Sequence, residues 1–199
     1  MNKPLVIIDA GHGGKDPGAT ANKLREKDIN LEVASRVAYF LGNHNIGYAM
    51  TRYGDTFLEL EERVEIANMS KVALFLSIHC NYATSKEAKG VETWYFEGST
   101  KSKKYADKYQ SSLMSLNYTT DRGVRDGRFY VLKYTGMPSV LLELGFLSNP
   151  GDAHYLKQPE KQMILAENIF RTTDQFLNPN KYNKFAFSFS NWNPFKNIK

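Results

Sequence analysis

A glutamate stands inside an apolar run, Val140-Leu141-Leu142-Glu143-Leu144-Gly145-Phe146. The run has the length of a buried strand, and a carboxylate there is costly unless a metal or a cation faces it. The fold must therefore bring a partner to this strand from elsewhere in the chain. Two other apolar runs end in groups that a divalent metal accepts. Leu5-Val6-Ile7-Ile8-Asp9 runs into Gly11-His12-Gly13-Gly14, and Val72 to Ile78 runs into His79-Cys80-Asn81. Buried strands that deliver two histidines and a carboxylate read as a zinc hydrolase site.

Helical patterns separate these strands. Ile29, Val33, Val37 and Leu41 recur at four-residue spacing and Gly42 follows, which predicts a helix over 27–41 with Glu26 at its entrance. Thr56-x-x-Glu59 has capping-box spacing and predicts a second helix with Leu60, Val64 and Ala67 as its buried stripe. Val91 to Phe96 reads as a strand, Ser102 to Leu116 as a helix, 121–128 as a charged loop, 139–144 as a strand and 152–176 as helical. Strands alternating with helices predict one α/β domain with a largely parallel or mixed twisted sheet of about six strands. In such sheets ligands lie beyond the carboxyl ends of strands, where His12 and His79 fall.

The length of 199 residues allows one sizeable core, expected over 1–177, with a basic aromatic appendage at 178–199. The single cysteine, Cys80, excludes an internal disulfide and a four-cysteine zinc site. Of the net charge of +5, four lysines in 178–199 carry +4, so the body is near neutral. No arginine run or nucleic-acid motif accompanies the high pI, and nucleic acid is not expected as a partner. The four apolar positions before Asp9 are too few for a signal-peptide core or a membrane span.

A catalytic zinc site keeps three protein ligands and one open position, and His12, Glu26 and His79 supply the number and type. The glycines around His12 let the backbone turn sharply and leave room for a substrate. Glu143 is then the general base, taking a proton from the attacking water and returning it to the leaving amine, with its pKa raised by apolar surroundings. Its rival role is an internal ion pair with Arg52 or Arg63. Cys80 is expected to be a small buried side chain, because adjacent strand residues point to opposite faces. Arg52 and Asp55 read as structural, His44 and His154 receive no role, and Arg122, Arg125 and Arg128 could meet substrate carboxylates but most such loops are only solvated.

Five ordered motifs now carry a resemblance. Ile8-Asp9-Ala10-Gly11-His12-Gly13-Gly14, Arg25-Glu26-Lys27-Asp28, Met50-Thr51-Arg52, Ser77-Ile78-His79-Cys80-Asn81 and Pro138 to Asn149 together resemble the zinc-dependent N-acetylmuramoyl-L-alanine amidases across residues 4–176. The resemblance implies cleavage of the amide between N-acetylmuramic acid and the first L-alanine of peptidoglycan. It also implies Zn2+ held by His12, Glu26 and His79, catalysis by Glu143, and a six-stranded sheet with a groove for glycan and peptide. Cys80 departs from it, since members often have alanine there. Asn81 is a further candidate for substrate contact.

Two alternatives stay beside this reading: a zinc peptidase cutting within the stem peptide, and a catalytically silent wall-binding module. With no signal peptide, a phage or prophage lysin or a mother-cell lytic enzyme acting on the wall is expected, and a secreted autolysin without its leader is the alternative. The oligomeric state is left open. Tyr182, Phe185, Phe187, Phe189, Trp192 and Phe195 interleave with lysines in 178–199, which fits either a wall-targeting element or aromatics packed on the body. No long acidic insertion lies between Asn81 and Gly90, so an open site that needs no activating partner is expected.

Overall fold

The computed structural model describes residues 5–69 and 72–182. The apolar run at the start forms β1 (Val6–Ala10), buried at every position. A two-residue ribbon, β2 (Thr20–Ala21) and β3 (Leu24–Arg25), leads into α1 (Glu26–Asn43), then β4 (Tyr48–Met50), α2 (Leu60–Asn68) and β5 (Leu74–Asn81). There follow β6 (Val91–Phe96), α3 (Thr100–Met114), β7 (Asp121–Gly127), α4 (Tyr130–Tyr134) and β8 (Ser139–Phe146). Three helices close the described chain: α5 (Pro150–Leu156), α6 (Pro159–Leu177) and α7 (Pro179–Tyr182).

Six strands form one mixed sheet in the order β4-β1-β5-β8-β6-β7. β4, β1, β5 and β8 run parallel, and β6 is antiparallel to β8 while parallel to β7. One face packs Ile8, Leu76 and Leu142 against Val33 and Val37 of α1 and Leu165 and Ile169 of α6. The other packs Ile7, Phe75 and Leu141 against Val64 of α2 and Val131 of α4. Sandwiched strands are apolar on both sides, which is why the sequence runs are continuous rather than alternating.

Several expected boundaries shift for identifiable reasons. The capping box of α2 is Glu59 with Glu62, three residues after the expected pair, and Leu60 is half-exposed while Arg63 joins Val64 and Ala67 in the buried stripe. The span 121–128, expected as a loop, is the edge strand β7. An edge strand has one neighbour and much solvent, so its charged residues carry no apolar signal. The helical stretch 152–176 begins at Pro150 and breaks before Pro159, since proline is suited to a first helical position and not to an interior one. β5 continues through His79 to Asn81 because its pairing with β8 extends past a bulge to Phe146. Of the expected appendage only 178–182 is described, with Lys181 and Tyr182 bonded to Asp174 on α6, and the rest lies outside the described residues.

Candidate active site

Parallel pairing of β1, β5 and β8 brings three distant stretches to one end of the sheet. His79 and Glu143 are direct partners across β5 and β8, and Glu143 is in turn opposite Glu92 on β6. Side chains paired across strands share a face. Beyond β1 the chain turns through His12, Gly13 and Gly14 with φ of 61°, 136° and 55°. Two guanidinium groups hold this turn from beneath. Arg52 donates to the carbonyls of Ala10, Gly11 and Lys27 at 2.8–3.0 Å, and Arg63 donates to those of Ala10 and His12 at 2.9 and 2.8 Å.

Glu26 is the first residue of α1 and lies between the two histidines. Its Oε1 accepts from His79 Nδ1 at 2.9 Å, the Cys80 amide at 3.1 Å and Asn30 Nδ2 at 3.3 Å. Its Oε2 accepts from the Ala19 amide at 2.8 Å and faces His12 Nε2 at 3.1 Å. His12 Nδ1 is bonded to Asp16 Oδ2 at 2.7 Å. One ligand atom from each of His12, Glu26 and His79 lies within 4.8 Å of the others. Glycine is required where these groups crowd the backbone: a Cβ on Gly11 would sit 2.2 Å from His79 Cε1, and one on Gly18 2.6 Å from both Glu26 Oε2 and His12 Cδ2.

The electrostatics follow from this packing. Burial pushes the Glu26 carboxyl up, but hydrogen bonds and charge from His12 and His79 outweigh it and hold it well below the carboxylate range. Burial lowers His12, and Glu26 and Asp16 reverse this to raise it to about 9. His79 is raised in the same way, by Glu26 and then Glu143 against its own burial. Glu143 is pushed up to about 7, chiefly by burial, against the pull of His79 and with Glu26 and Glu92 adding to the rise. Its Oε2 is buried and has no hydrogen-bond partner among the described residues.

The rival ion pair is absent: Arg63 pairs with Asp9, and Arg52 spends its donors on backbone carbonyls. Cys80 is buried in the core behind the sheet, and burial raises its thiol well above the usual value. Asn81 reaches the cavity, with Nδ2 on Glu92 at 3.3 Å and Oδ1 on the Tyr82 amide at 2.8 Å. Asp55 anchors the Gly14 amide and Lys27 Nζ, so it belongs to the loop. The cavity of about 690 Å³ is lined by His12, Glu26, His79 and Glu143, with Phe57, Leu60, Tyr82 and Phe129 at its walls. Residues 82–90, between β5 and β6, contain no helix.

Sequence reasoning passed over Asp16, Asp9 and Glu92. Asp16 is four residues from His12 in an Asp-Pro-Gly turn, a visible turn signal that does not announce an imidazole partner. Asp9, the penultimate residue of β1, binds Arg63, Ser77 and Thr51. Among the described residues no helix is long and apolar enough to cross a membrane.

Comparison with known proteins agrees with this geometry. Residues 6–174 match the family model described as N-acetylmuramoyl-L-alanine amidase. The chain is 43% identical over 155 residues to the N-acetylmuramoyl-L-alanine amidase LytC of Bacillus subtilis strain 168, covering 77% of this chain and 31% of that protein, or about a third of its length. It is 35% identical over 186 residues to the germination-specific N-acetylmuramoyl-L-alanine amidase of the same organism, covering 86% of this chain and 78% of the relative. The catalytic domain of CwlV, an amidase of the same name from Bacillus (Paenibacillus) polymyxa var. colistinus, superposes with a TM-score of 0.83 at 38% identity, covering 87% of this chain and 98% of that one. A mixed six-stranded sheet with two histidines and two glutamates at one end, matched over nearly all of its described length, places this chain in the N-acetylmuramoyl-L-alanine amidase family.

Proposed function

We propose that the chain is a zinc-dependent hydrolase of the amide joining N-acetylmuramic acid to L-alanine in peptidoglycan, with His12, Glu26 and His79 as metal ligands and Glu143 as general base. The observation that carries this reading is the buried, unpartnered Oε2 of Glu143 beside a compact His–Glu–His cluster. A buried carboxylate oxygen without a partner calls for an explanation, and a proton-transfer role supplies one.

The donor set fits zinc, which takes imidazole nitrogen and carboxylate oxygen and leaves one position open with three protein ligands. The charge also fits, because the site raises the proton affinity of two imidazoles around one carboxylate, and a dication replaces both protons. When bound, the ion supplies a Lewis acid that polarises the scissile carbonyl and stabilises charge developing on its oxygen.

The chain's own residues do the rest. Glu143 accepts a proton from the attacking water at Oε2 and delivers it to the departing alanine nitrogen, so the amine leaves neutral. Asp16 fixes the His12 ring through Nδ1, and the amides of Ala19 and Cys80 hold Glu26 in place. Asn81 lies at the cavity edge, where it serves as a substrate contact. The cell wall is the place of action.

The test is digestion of purified peptidoglycan by zinc-loaded wild type and Glu143→Gln, with mass spectrometry of the soluble products. Intact stem peptides beginning with a free L-alanine amine, from wild type only, are expected. Fragments cut inside the stem would replace the reading by a peptidase, and wall binding without new amines would replace it by a binding module.

A further inference from the structure

The polar row across the sheet continues past Glu143. Glu92 lies opposite it on β6, and the edge strand β7 carries Arg122 and Arg125 one strand further. Glu92 is only 3% exposed, and both of its oxygens are occupied. Arg122 Nε donates to Oε1 at 2.6 Å and Arg125 Nε lies 2.8 Å from Oε2. The Arg122 guanidinium also lies over the Phe146 ring at 4.9 Å, and that of Arg125 over Trp94 at 5.8 Å.

Both arginines are thus gripped through Nε, and their Nη groups form no hydrogen bond among the described residues. Their side chains are 32% and 45% exposed. The two guanidinium groups are presented in planes set by an ion pair to Glu92 and by an aromatic ring. Paired Nη donors in a fixed plane are the geometry that takes a carboxylate in two hydrogen bonds.

Their position sets which carboxylate. Strands lie about 4.8 Å apart, so β7 is roughly 10 Å from β8 and Glu143. Each extended peptide residue spans at most about 3.5 Å. A stem peptide that starts with its scissile amide at Glu143 and crosses β6 reaches the arginines two to three residues on. We propose that Arg122 and Arg125, braced on Glu92, form a subsite for a free carboxylate on the second or third residue of the substrate's peptide stem. This rests on the amidase reading and adds a specificity determinant to it.

The test compares synthetic muramoyl-tetrapeptides that carry either a free carboxylate or a carboxamide at the second residue, and a matching pair that differs at the third. Zinc-loaded wild type is expected to prefer the acid of at least one pair by about tenfold or more in kcat/KM, mainly through KM, the scale of one charge-assisted bond. Arg125→Gln is expected to bring that ratio near unity, with Arg125→Lys intermediate. Because removing both arginines strands a buried carboxylate, the double loss is made together with Glu92→Gln. Titration calorimetry of the free acid and amide stem peptides reads the same preference without turnover. Equal kcat/KM and equal affinity for acid and amide in both pairs, or a preference that survives the triple variant, overturns the subsite. If all substrates are cut equally at the muramoyl–alanine amide, the amidase reading stands and only the subsite falls; if none is cut, the calorimetry still decides the subsite.

Discussion

Arg63 and Asp9 form an ion pair, Nη1 to Oδ1 at 2.8 Å, directly under the turn that carries His12, and the two residues are 3% and 1% exposed. Asp9 is further held by Ser77 and Thr51. Burial pushes the Asp9 carboxyl up, and Arg63 and Ser77 overcome this to lower it. Arg63→Met leaves that carboxylate buried without its cation and removes the bond to the His12 carbonyl. The expected loss is about 3–5 kcal/mol in urea denaturation, as for other broken buried pairs. The folded-state pKa is below the unfolded value, so the pair's contribution is present above the ordinary value of 3.8 and is lost as pH falls through the folded value. The wild-type advantage over Asp9→Asn should accordingly shrink in strong acid, read by the same denaturation series.

Asp16 touches no proposed zinc position but holds His12 Nδ1. Partners of this kind set the tautomer and ring direction of a ligating histidine, and their loss costs about 10–100-fold in metal affinity. Asp16→Ala should weaken zinc binding by that factor in competition with a chromogenic chelator while leaving the melting temperature of the metal-free protein within a few degrees. Unchanged affinity would assign Asp16 to loop geometry alone, through its bond to the Gly18 amide.

Glu143 yields two opposite expectations. As the base it must be ionised, and substitution by Gln should reduce kcat by about 10²–10⁴-fold with zinc content unchanged. In the metal-free protein its carboxyl is at about 7, and a dication nearby favours the charged form, so the acid limb of kcat/KM should have its midpoint below about 7. For stability the sign reverses. A carboxyl raised in the folded state from 4.5 costs stability as pH rises through 4.5 to about 7. Metal-free Glu143→Gln should therefore melt above wild type at pH 8 and with it near pH 4, by differential scanning calorimetry.

Gly11→Ala should separate fold from metal site. Its new methyl would sit 2.2 Å from His79 Cε1, so the imidazole must leave its place beside Glu26. The variant is expected to keep its circular dichroism spectrum and lose stoichiometric zinc by atomic absorption. Full zinc occupancy would show that the loop yields rather than the ring.

The readable part of this chain was what burial writes into residue order. β1, β5 and β8 are covered on both faces, so their apolar runs stand out, and a polar residue at their ends invites a chemical question. Glu26 was legible only through its motif, because an acid in the first turn of a helix has an ordinary dipole explanation. β7 was hidden because Asp121, Arg122, Arg125 and Asp126 look like a loop unless the neighbouring strand is known. Glu92 was hidden for a different reason: one acid in a β-rich hexapeptide has no visible partner until β7 folds back along it.

Among the described residues β8 is the last strand made, and it enters between two already synthesised ones, pairing with β5 on one side and β6 on the other. Until residues 139–146 emerge, β6 and β7 have no ladder to the three strands β4, β1 and β5, and β5 keeps an unpaired edge. Long-range pairing of this kind is the slow event of folding. The carboxylate proposed as the general base, Glu143, therefore arrives on the strand that joins the two parts of the sheet. On the proposed mechanism, a chain that ends before residue 139 carries the proposed ligands His12, Glu26 and His79 but not the proposed base, so lytic competence waits for this strand.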